Sequence, residues 1–520
     1  MAQFSVQLLA SIGAVVLAST LFQKLVKKTD RRLPGPPTIP LLGNALNFPR
    51  SKPWIQFLEW SREYKSDAIQ LEVLGNRIII LNTIEATQEL FVRRGLNYSS
   101  RPHIPILDIV GRSIDWLFLN YTADRVWRDH RKVYHREFDT QTVLHRPYET
   151  SATKVLLKKL YDNPNDFVDH LRATTGEAIL GTTYGIAVQP KDDPLLAIVN
   201  KFVAALDNAM GAKAIGKSIF NVFPVLRHLP RWLPGLQFYP IADELRKSSI
   251  DMPEIPLGHV RKLMKEGTAP PSVALRALEA LEETKDSPDY PHDMRVLQNV
   301  LAGIYAAGAD TTLTGMRWFF FSMIKFPHVQ AKARAHIDHQ TEGKRLPDFG
   351  SDFGSLPYIE AVLNEVLRFF PVLPIGMPHC VVEDDVYNDC LIKKDTIVFG
   401  NSWAIMRDEK IYGPDTHVFK PERFLNEDGS RNLAIPDPDQ AFGYGRRVCA
   451  GKNVAREFLW LMMASILSSF EISQGVGENG KLVEPDADHH SSGLVCHPLA
   501  FPAKIVIRSE HAKELLFNAD

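Results

Sequence analysis

Apolar positions recur at helical spacing through most of the chain beyond about residue 120, in stretches near 123–138, 164–183, 193–214, 292–324, 328–340 and 356–369. Alternating, strand-like runs are fewer and shorter. Two of them, Ala68–Val73 and Arg77–Leu81, flank Gly75-Asn76, a dipeptide that marks a hairpin. Extended pieces return near 378–400 and 494–508. The pattern predicts a mainly α body with small β-sheets at one end, in the α+β class, and no internal repeat or low-complexity tract divides it.

Two of these stretches carry polar groups where the pattern is apolar. Around Glu365 and Arg368, the residues Ile359, Val362, Leu363, Val366, Leu367, Phe369 and Phe370 leave almost no polar face, so this helix is expected to be buried. Glu365 and Arg368 share a face at i,i+3, and a buried pair needs full compensation. Arg423, in Phe419-Lys420-Pro421-Glu422-Arg423-Phe424, is the expected third member. The second stretch is Leu301 to Thr312, where Gly308 and the polar trio Asp310-Thr311-Thr312 interrupt an apolar helix. Thr311 lies four residues after Ala307, so its hydroxyl can reach that carbonyl and loosen the helix. A small-residue packing notch with solvent-facing Asp and Thr would produce the same letters.

The N-terminus is patterned differently. Phe4 to Phe22 contains no charge, and as a helix it would be roughly 28 Å long at about 1.5 Å per residue. Lys24, Lys27, Lys28, Arg31 and Arg32 follow, which orients the remaining chain toward the cytosol. A cleaved signal peptide would want its positive charge before the apolar run, where there is none. The sequons at Asn97 and Asn120 would carry glycans only in the opposite orientation. Leu33-Pro34-Gly35-Pro36-Pro37-Thr38-Ile39-Pro40 is a stiff extended segment suited to a hinge.

Composition removes several classes. At 520 residues, with 45% hydrophobic and 23% charged side chains, the chain is ordinary globular protein and long enough for one large domain or several. A formal net charge of −1 gives no reason to expect nucleic acid. The four cysteines, Cys380, Cys390, Cys449 and Cys496, match neither a zinc site nor a disulfide framework, which suits a reducing compartment. Adjacent His489 and His490 lack a supporting carboxylate constellation and are read as loop residues. No G-x-G-x-x-G follows a predicted strand, so no nicotinamide site is assigned to this chain.

The most specific chemistry sits at Phe442-Gly443-Tyr444-Gly445-Arg446-Arg447-Val448-Cys449-Ala450-Gly451. A lone cysteine in a glycine-rich loop is most often a small buried residue. Here glycines allow close backbone approach, two arginines precede the thiol, and an apolar helical pattern (Val454, Phe458, Leu459, Met462) follows, all of which favour a thiolate ligand.

The spacing F-x-x-G-x-R-x-C-x-G resembles the haem-binding loop of the cytochrome P450 monooxygenases. The order E-x-x-R, P-E-R-F, cysteine loop is similar to that family's, and the resemblance runs from Leu33 to Ser509. It implies one P450-type haem-thiolate domain over 41–520, after a membrane anchor at 1–23 and a basic, Pro-rich hinge at 24–40. It further implies haem b with Cys449 as the iron ligand, the cysteine thiolate supplying electron density for O–O cleavage. Phe442, Gly445 and Gly451 shape the loop, and Arg447 pairs with a propionate. Trp127 and Arg131, from the W-x-x-x-R pattern, are implied propionate donors, as is His379, where many members have arginine. Asp310 and Thr311 would relay the protons that dioxygen reduction consumes. Electrons would come from NADPH through a separate membrane-bound NADPH–cytochrome P450 reductase, with cytochrome b5 as a further donor. The donor would dock on a basic face of Arg446, Lys452, Lys132 and Arg128.

Three departures from the family pattern stand out: Ala450 for a common proline, Lys393-Lys394-Asp395 for a Pro-Lys-Gly turn, and no glycine at Tyr121-Thr122-Ala123-Asp124. Substrate contacts by analogy are Ile104 to Leu119, Phe202 to Met210, Ile304, Ala307, Val372 to Met377 and Gly493-Leu494-Val495. Phe220, Val222, Phe223, Leu226 and Trp232 could dip into a membrane. The expected activity is single-oxygen insertion into a lipophilic small molecule by an enzyme of the endoplasmic reticulum membrane with a cytosolic catalytic domain. Pro378-His379 and Ser492 to Pro498 look like fungal secondary-metabolism members, with terpenoid, polyketide and indole substrates all compatible. A haem sensor or electron carrier without turnover, and a membrane-anchored binding protein without haem, are the rival classes.

Overall fold

The computed structural model describes residues 31–104, 119, 121, 125–189, 193–210, 238–487, 490–491 and 493–518. The apolar run at 4–22 and the candidate membrane loop at 220–232 lie outside them. Among the described residues no helix is long and apolar enough to cross a membrane.

Among the described residues the first elements are α1 (Pro53–Glu63), β1 (Ala68–Val73) and β2 (Asn76–Leu81). Val73 pairs with Asn76, so the turn is Leu74-Gly75 and not the predicted Gly75-Asn76, and Leu74 takes φ 49° to make it. The helical body comprises α2 (Arg125–Phe138), α3 (Arg146–Asp162), α4 (Phe167–Tyr184), α5 (Pro194–Met210), α6 (Phe238–Glu266), α7 (Val273–Glu282), α8 (Tyr290–Lys325), α9 (Pro327–Thr341) and α10 (Pro357–Phe369). Proline in the first turn opens α1, α3, α8, α9 and α10, where its missing N–H has no partner to lose. The strands β3 (His379–Cys380), β4 (Asp385–Tyr387), β5 (Cys390–Ile392) and β6 (Ile397–Gly400) follow, then α11 (Lys452–Ser469), β7 (Phe470–Gln474), β8 (Ala503–Ile507) and α12 (Glu510–Asn518).

One sheet has the order β1-β2-β6-β3, and β4-β5 and β7-β8 form separate two-stranded sheets. Asp395 replaces the expected glycine turn by taking φ 62°, a region that aspartate tolerates. Leu33 is buried, and the Pro34 carbonyl accepts from Gln70 N at 2.9 Å, so the segment at 33–37 is part of the domain.

Helix α8 runs through the middle of the body, and its C-terminal half packs Trp318, Phe319 and Phe320 against Met462, Met463 and Val362. The interruption at Gly308 has a packing cause. A Cβ there would stand 2.6 Å from Ile179 Cδ1, so glycine lets α4 and α8 approach. The helix remains continuous across Asp310-Thr311-Thr312.

The predicted buried ion network is present. Arg368 Nε donates to Glu365 Oε2 at 2.7 Å and Nη2 to Oε1 at 2.8 Å, while Arg423 Nε donates to both oxygens at 3.2 Å. Lys420 N–H adds a bond of 2.7 Å to Oε1. Arg368 Nη1 then reaches the carbonyls of Met406 and Thr416, which ties the irregular segment before the cysteine loop to α10.

Candidate active site

The cysteine loop is bent by glycines and closed by its own backbone. Gly445 takes φ 52°, and a Cβ there would run into the Phe91 carbonyl oxygen, so only glycine fits. Cys449 N–H donates to the Phe442 carbonyl at 2.8 Å. The Gly451 amide, at the cap of α11, bonds to the Cys449 sulfur. Burial pushes the thiol up from its ordinary range, and the Gly451 amide, Arg131 and Lys452 act in the opposite direction. Cys449 lies deep within the protein, yet its own surface is exposed, because it faces an internal cavity.

Across that cavity stands α8, presenting Ile304, Ala307, Gly308, Thr311 and Thr312. Thr311 Oγ1 donates to the Ala307 carbonyl at 2.7 Å, the predicted bond. Asp310 is turned away and is not among the lining residues. Its Oδ2 is buried without a hydrogen bond and lies 3.5 Å from His497 Nε2. Sequence reasoning missed His497, which packs on α8 from a loop 187 positions away (497 − 310) and carries no local signal.

One edge of the cavity is cationic. Arg447 Nε donates to the Ser99 carbonyl at 2.7 Å, its Nη2 donates to Leu119 O, and its guanidinium lies 5.0 Å over the Trp127 ring. Arg131 Nη1 donates to the Val448 carbonyl at 2.8 Å. Arg101, which sequence reasoning also missed, is 7% exposed and donates to the Pro378 carbonyl at 2.5 Å. Burial, with Arg101 and Arg131 nearby, pushes Arg447 down to about 8, and burial pushes Arg101 down to about 10. Among the described residues no carboxylate lies within ion-pair distance of Arg131 or Arg447. Buried like charges are costly unless an anion joins them.

His379 completes the edge. Its Nδ1 lies 2.7 Å from the Tyr98 carbonyl, which can only accept, and its ring stacks on Phe91 at 4.0 Å. Burial and Arg101 hold the imidazole well below its ordinary range, so it is neutral here and would have to take a proton to bind a carboxylate through Nε2.

The donor set fits iron protoporphyrin. One soft sulfur faces a largely apolar space, and at one rim the guanidiniums of buried Arg101 and half-buried Arg131 and Arg447 suit a dianion. Among the described residues no group of three His, Cys, Asp or Glu could hold a bare ion, so a metal here would bring most of its own ligands.

Other expectations divide. Val372, Leu373, Gly376 and Met377 line the cavity, but Gly493-Leu494-Val495 do not. Phe202 packs in the core among α5, α6 and α8, the side chains of 203–210 are not described, and 105–118 lie outside the described residues. The basic face is partly neutralised: Lys452 pairs with Asp439 at 2.8 Å and Lys132 with Asp129 at 3.7 Å. His490 sits in a loop against Ser491 and Cys496, and His489 lies outside the described residues.

Comparison with known proteins agrees with this geometry. The family model described as Cytochrome P450 matches residues 33–500. The chain is 38% identical to the cytochrome P450 monooxygenase ple1 of Rhodocybe pseudopiperita, over 94% of this chain and 92% of that protein. It is also 38% identical to the cytochrome P450 monooxygenase eriA of Hericium erinaceus, over 98% and 95%. To a tryptamine 4-monooxygenase of Psilocybe cyanescens it is 33% identical, over 96% and 97%.

Proposed function

The chain belongs to the cytochrome P450 monooxygenases, and from that premise we propose that it oxidises a lipophilic secondary metabolite with electrons from NADPH. The observation that carries this is the placement of Cys449 and Thr311 on opposing walls of one largely apolar cavity with a cationic rim. The haem, when bound, supplies the oxidising chemistry. Cys449 would hold its iron, with the Gly451 amide orienting the sulfur. Arg447, Arg131, Arg101, Trp127 and His379 would hold its two carboxylates, which removes the cost of burying the arginines together. Phe442 and Gly445 set the loop's height and bend. Thr311 places a hydroxyl where the chemistry occurs, while Ile304, Ala307, Val372 and Leu373 exclude water and select an apolar substrate. Asp310 stands beside Thr311 as the source of its protons.

The electron donor in this reading is a separate NADPH-dependent flavoprotein reductase, with cytochrome b5 as an alternative second donor. The chain would be anchored by residues 4–22 in the endoplasmic reticulum membrane with its catalytic domain in the cytosol. Exposed Leu41 (60%) and Leu46 (64%), close after the anchor, suit a surface lying on lipid. The Asn97 side chain donates to Glu383 O at 3.0 Å and accepts from Glu383 N at 2.8 Å, so a glycan there would break structure. Fungal relatives along nearly the whole chain support a role in secondary metabolism.

The test is product profiling. Microsomes containing the chain and a reductase, given apolar metabolite pools and labelled dioxygen, should form an NADPH-dependent product carrying one labelled oxygen. A product oxygen derived from water would refute the reaction.

A further inference from the structure

Asp310 is turned from the cavity that Thr311 lines, toward the loop that carries His497. Its Oδ2 is buried and hydrogen-bonded to nothing, and the titratable group facing it is His497, with Nε2 at 3.5 Å. The His497 side chain is 25% exposed and that of Asp310 14%, so the imidazole is the more accessible member. The loop carrying His497 is fastened to the central helix: Trp318 Nε1 donates to Cys496 O at 2.9 Å and Arg317 Nη2 to Pro498 O at 2.5 Å.

The hydrogen bonds constrain the ring. Thr314 Oγ1 lies 2.8 Å from the Asp310 carbonyl and 2.7 Å from His497 Nδ1. A threonine hydroxyl has one proton, and in a helix it is given to the carbonyl four residues back. The hydroxyl then only accepts, so His497 Nδ1 carries a proton. Nε2 therefore faces the carboxylate either as a bare lone pair or as the second N–H of an imidazolium. Two bare acceptors repel, so Asp310 and His497 together are most stable holding one proton between them.

We propose that His497 is the residue through which Asp310 is reprotonated from solvent. The proposal rests on the monooxygenase reading and extends it. In the step, the proton on His497 Nε2 passes to Asp310 Oδ2, the N–H bond breaking as the O–H bond forms. A hydronium ion from solvent then returns a proton to Nε2, leaving water. Rotation of the Asp310 side chain toward Thr311 delivers the proton to the cavity, where dioxygen reduction consumes it. His497 does not touch the reacting atoms; it acts through Asp310 and is held in position by Thr314. Among the described residues, the charged or titratable groups near this junction include Arg317 on α8 and, beyond it, Arg172 on α4, with His490 on the same loop.

The experiment uses the full-length haem enzyme with its reductase. Selective labelling of histidine allows His497 to be titrated by NMR, with His497→Gln identifying its signal. In Asp310→Asn the titration midpoint of His497 should fall by about one pH unit, tenfold in proton affinity. In His497→Gln, kcat for product should fall about tenfold with KM unchanged, less than the roughly hundredfold loss of a directly acting acid. The solvent isotope effect on kcat should rise and its pH profile should change shape. A residue that merely braces the loop would lower haem content and leave the isotope effect and pH profile alone, and that result overturns the proposal. An unmoved His497 titration in Asp310→Asn also overturns it, with labelled-oxygen incorporation by the parent enzyme intact. Failure of the parent enzyme to incorporate labelled oxygen, with the titration shift present, would instead refute the monooxygenase reading and leave the proton-sharing pair standing.

Discussion

Glu365→Gln tests how the scaffold behind the cysteine loop is held. Glu365 and Arg368 are fully buried, and the Arg423 side chain is 3% exposed. The substitution conserves volume and keeps one oxygen, which can still accept from Lys420 N and Arg368 Nη2, now at 2.7 and 2.8 Å. The other oxygen becomes an amide donor pointing at Arg368 Nε and Arg423 Nε, two donors that now accept nothing in return. Asp415, with its side chain 33% exposed, still compensates Arg423, but Arg368 is left a buried cation without a carboxylate. Breaking such a pair from one side costs about 3–5 kcal/mol, against roughly 5–15 kcal/mol for the whole stability of a domain. Purified holoenzyme should therefore lose its thiolate-haem spectrum at markedly lower urea concentration than the parent. Glu365→Gln/Arg368→Met, which also removes the stranded cation, should recover part of the loss. A Glu365→Gln enzyme within about 1 kcal/mol of the parent would refute the argument that this network carries the segment.

Three further outcomes are expected. Gly445→Ala should abolish haem incorporation while leaving the far-ultraviolet circular dichroism spectrum unchanged, because the added methyl collides with the Phe91 carbonyl at a positive φ. Thr311→Ala should keep the haem but divert NADPH electrons from product to hydrogen peroxide, measured as the peroxide-to-NADPH ratio; an unchanged ratio would remove Thr311 from proton delivery. In the haem-free protein, His379 is held neutral by burial, so between its depressed folded pKa and the ordinary value near 6.5 the unfolded chain binds more protons and stability rises with pH. Stability should accordingly fall on acidification through that window, and His379→Gln should lessen the slope by up to about 1.4 kcal/mol per pH unit.

The legible parts of this molecule were those encoded locally. Helices α2, α4, α5, α8, α9 and α10 follow their apolar spacing closely, and the cysteine loop and the Glu365 network follow motifs a few residues long. Helix α3 was passed over because Ser151, Thr153 and Lys154 blur its apolar stripe, although Pro147 marks its first turn. Helix α6 contains Pro253 and Pro256, which read as breaks. The hairpin moved by one residue because Leu74 accepts a positive φ that sequence rules reserve for Gly or Asn. At the site, the residues that were missed act across long separations. Arg101 meets Pro378 277 positions away, and His497 meets Thr314 183 positions away, so neither carries a periodic or motif signal. Asp310, implied by the family resemblance as a proton donor with Thr311, does not line the cavity beside it: the helical turn of about 100° between adjacent residues sets Asp310 toward His497.

The central claim is that Cys449 is the thiolate ligand of a haem held between α8 and the cysteine loop. Its most direct test is the absorption spectrum of the reduced, carbon monoxide-bound protein, parent against Cys449→Ala. The account predicts the red-shifted band of a thiolate-ligated haem in the parent and its complete loss in Cys449→Ala, with Cys380→Ala, Cys390→Ala and Cys496→Ala unchanged. Persistence of the band in Cys449→Ala, or its loss in one of the other three alone, would contradict it.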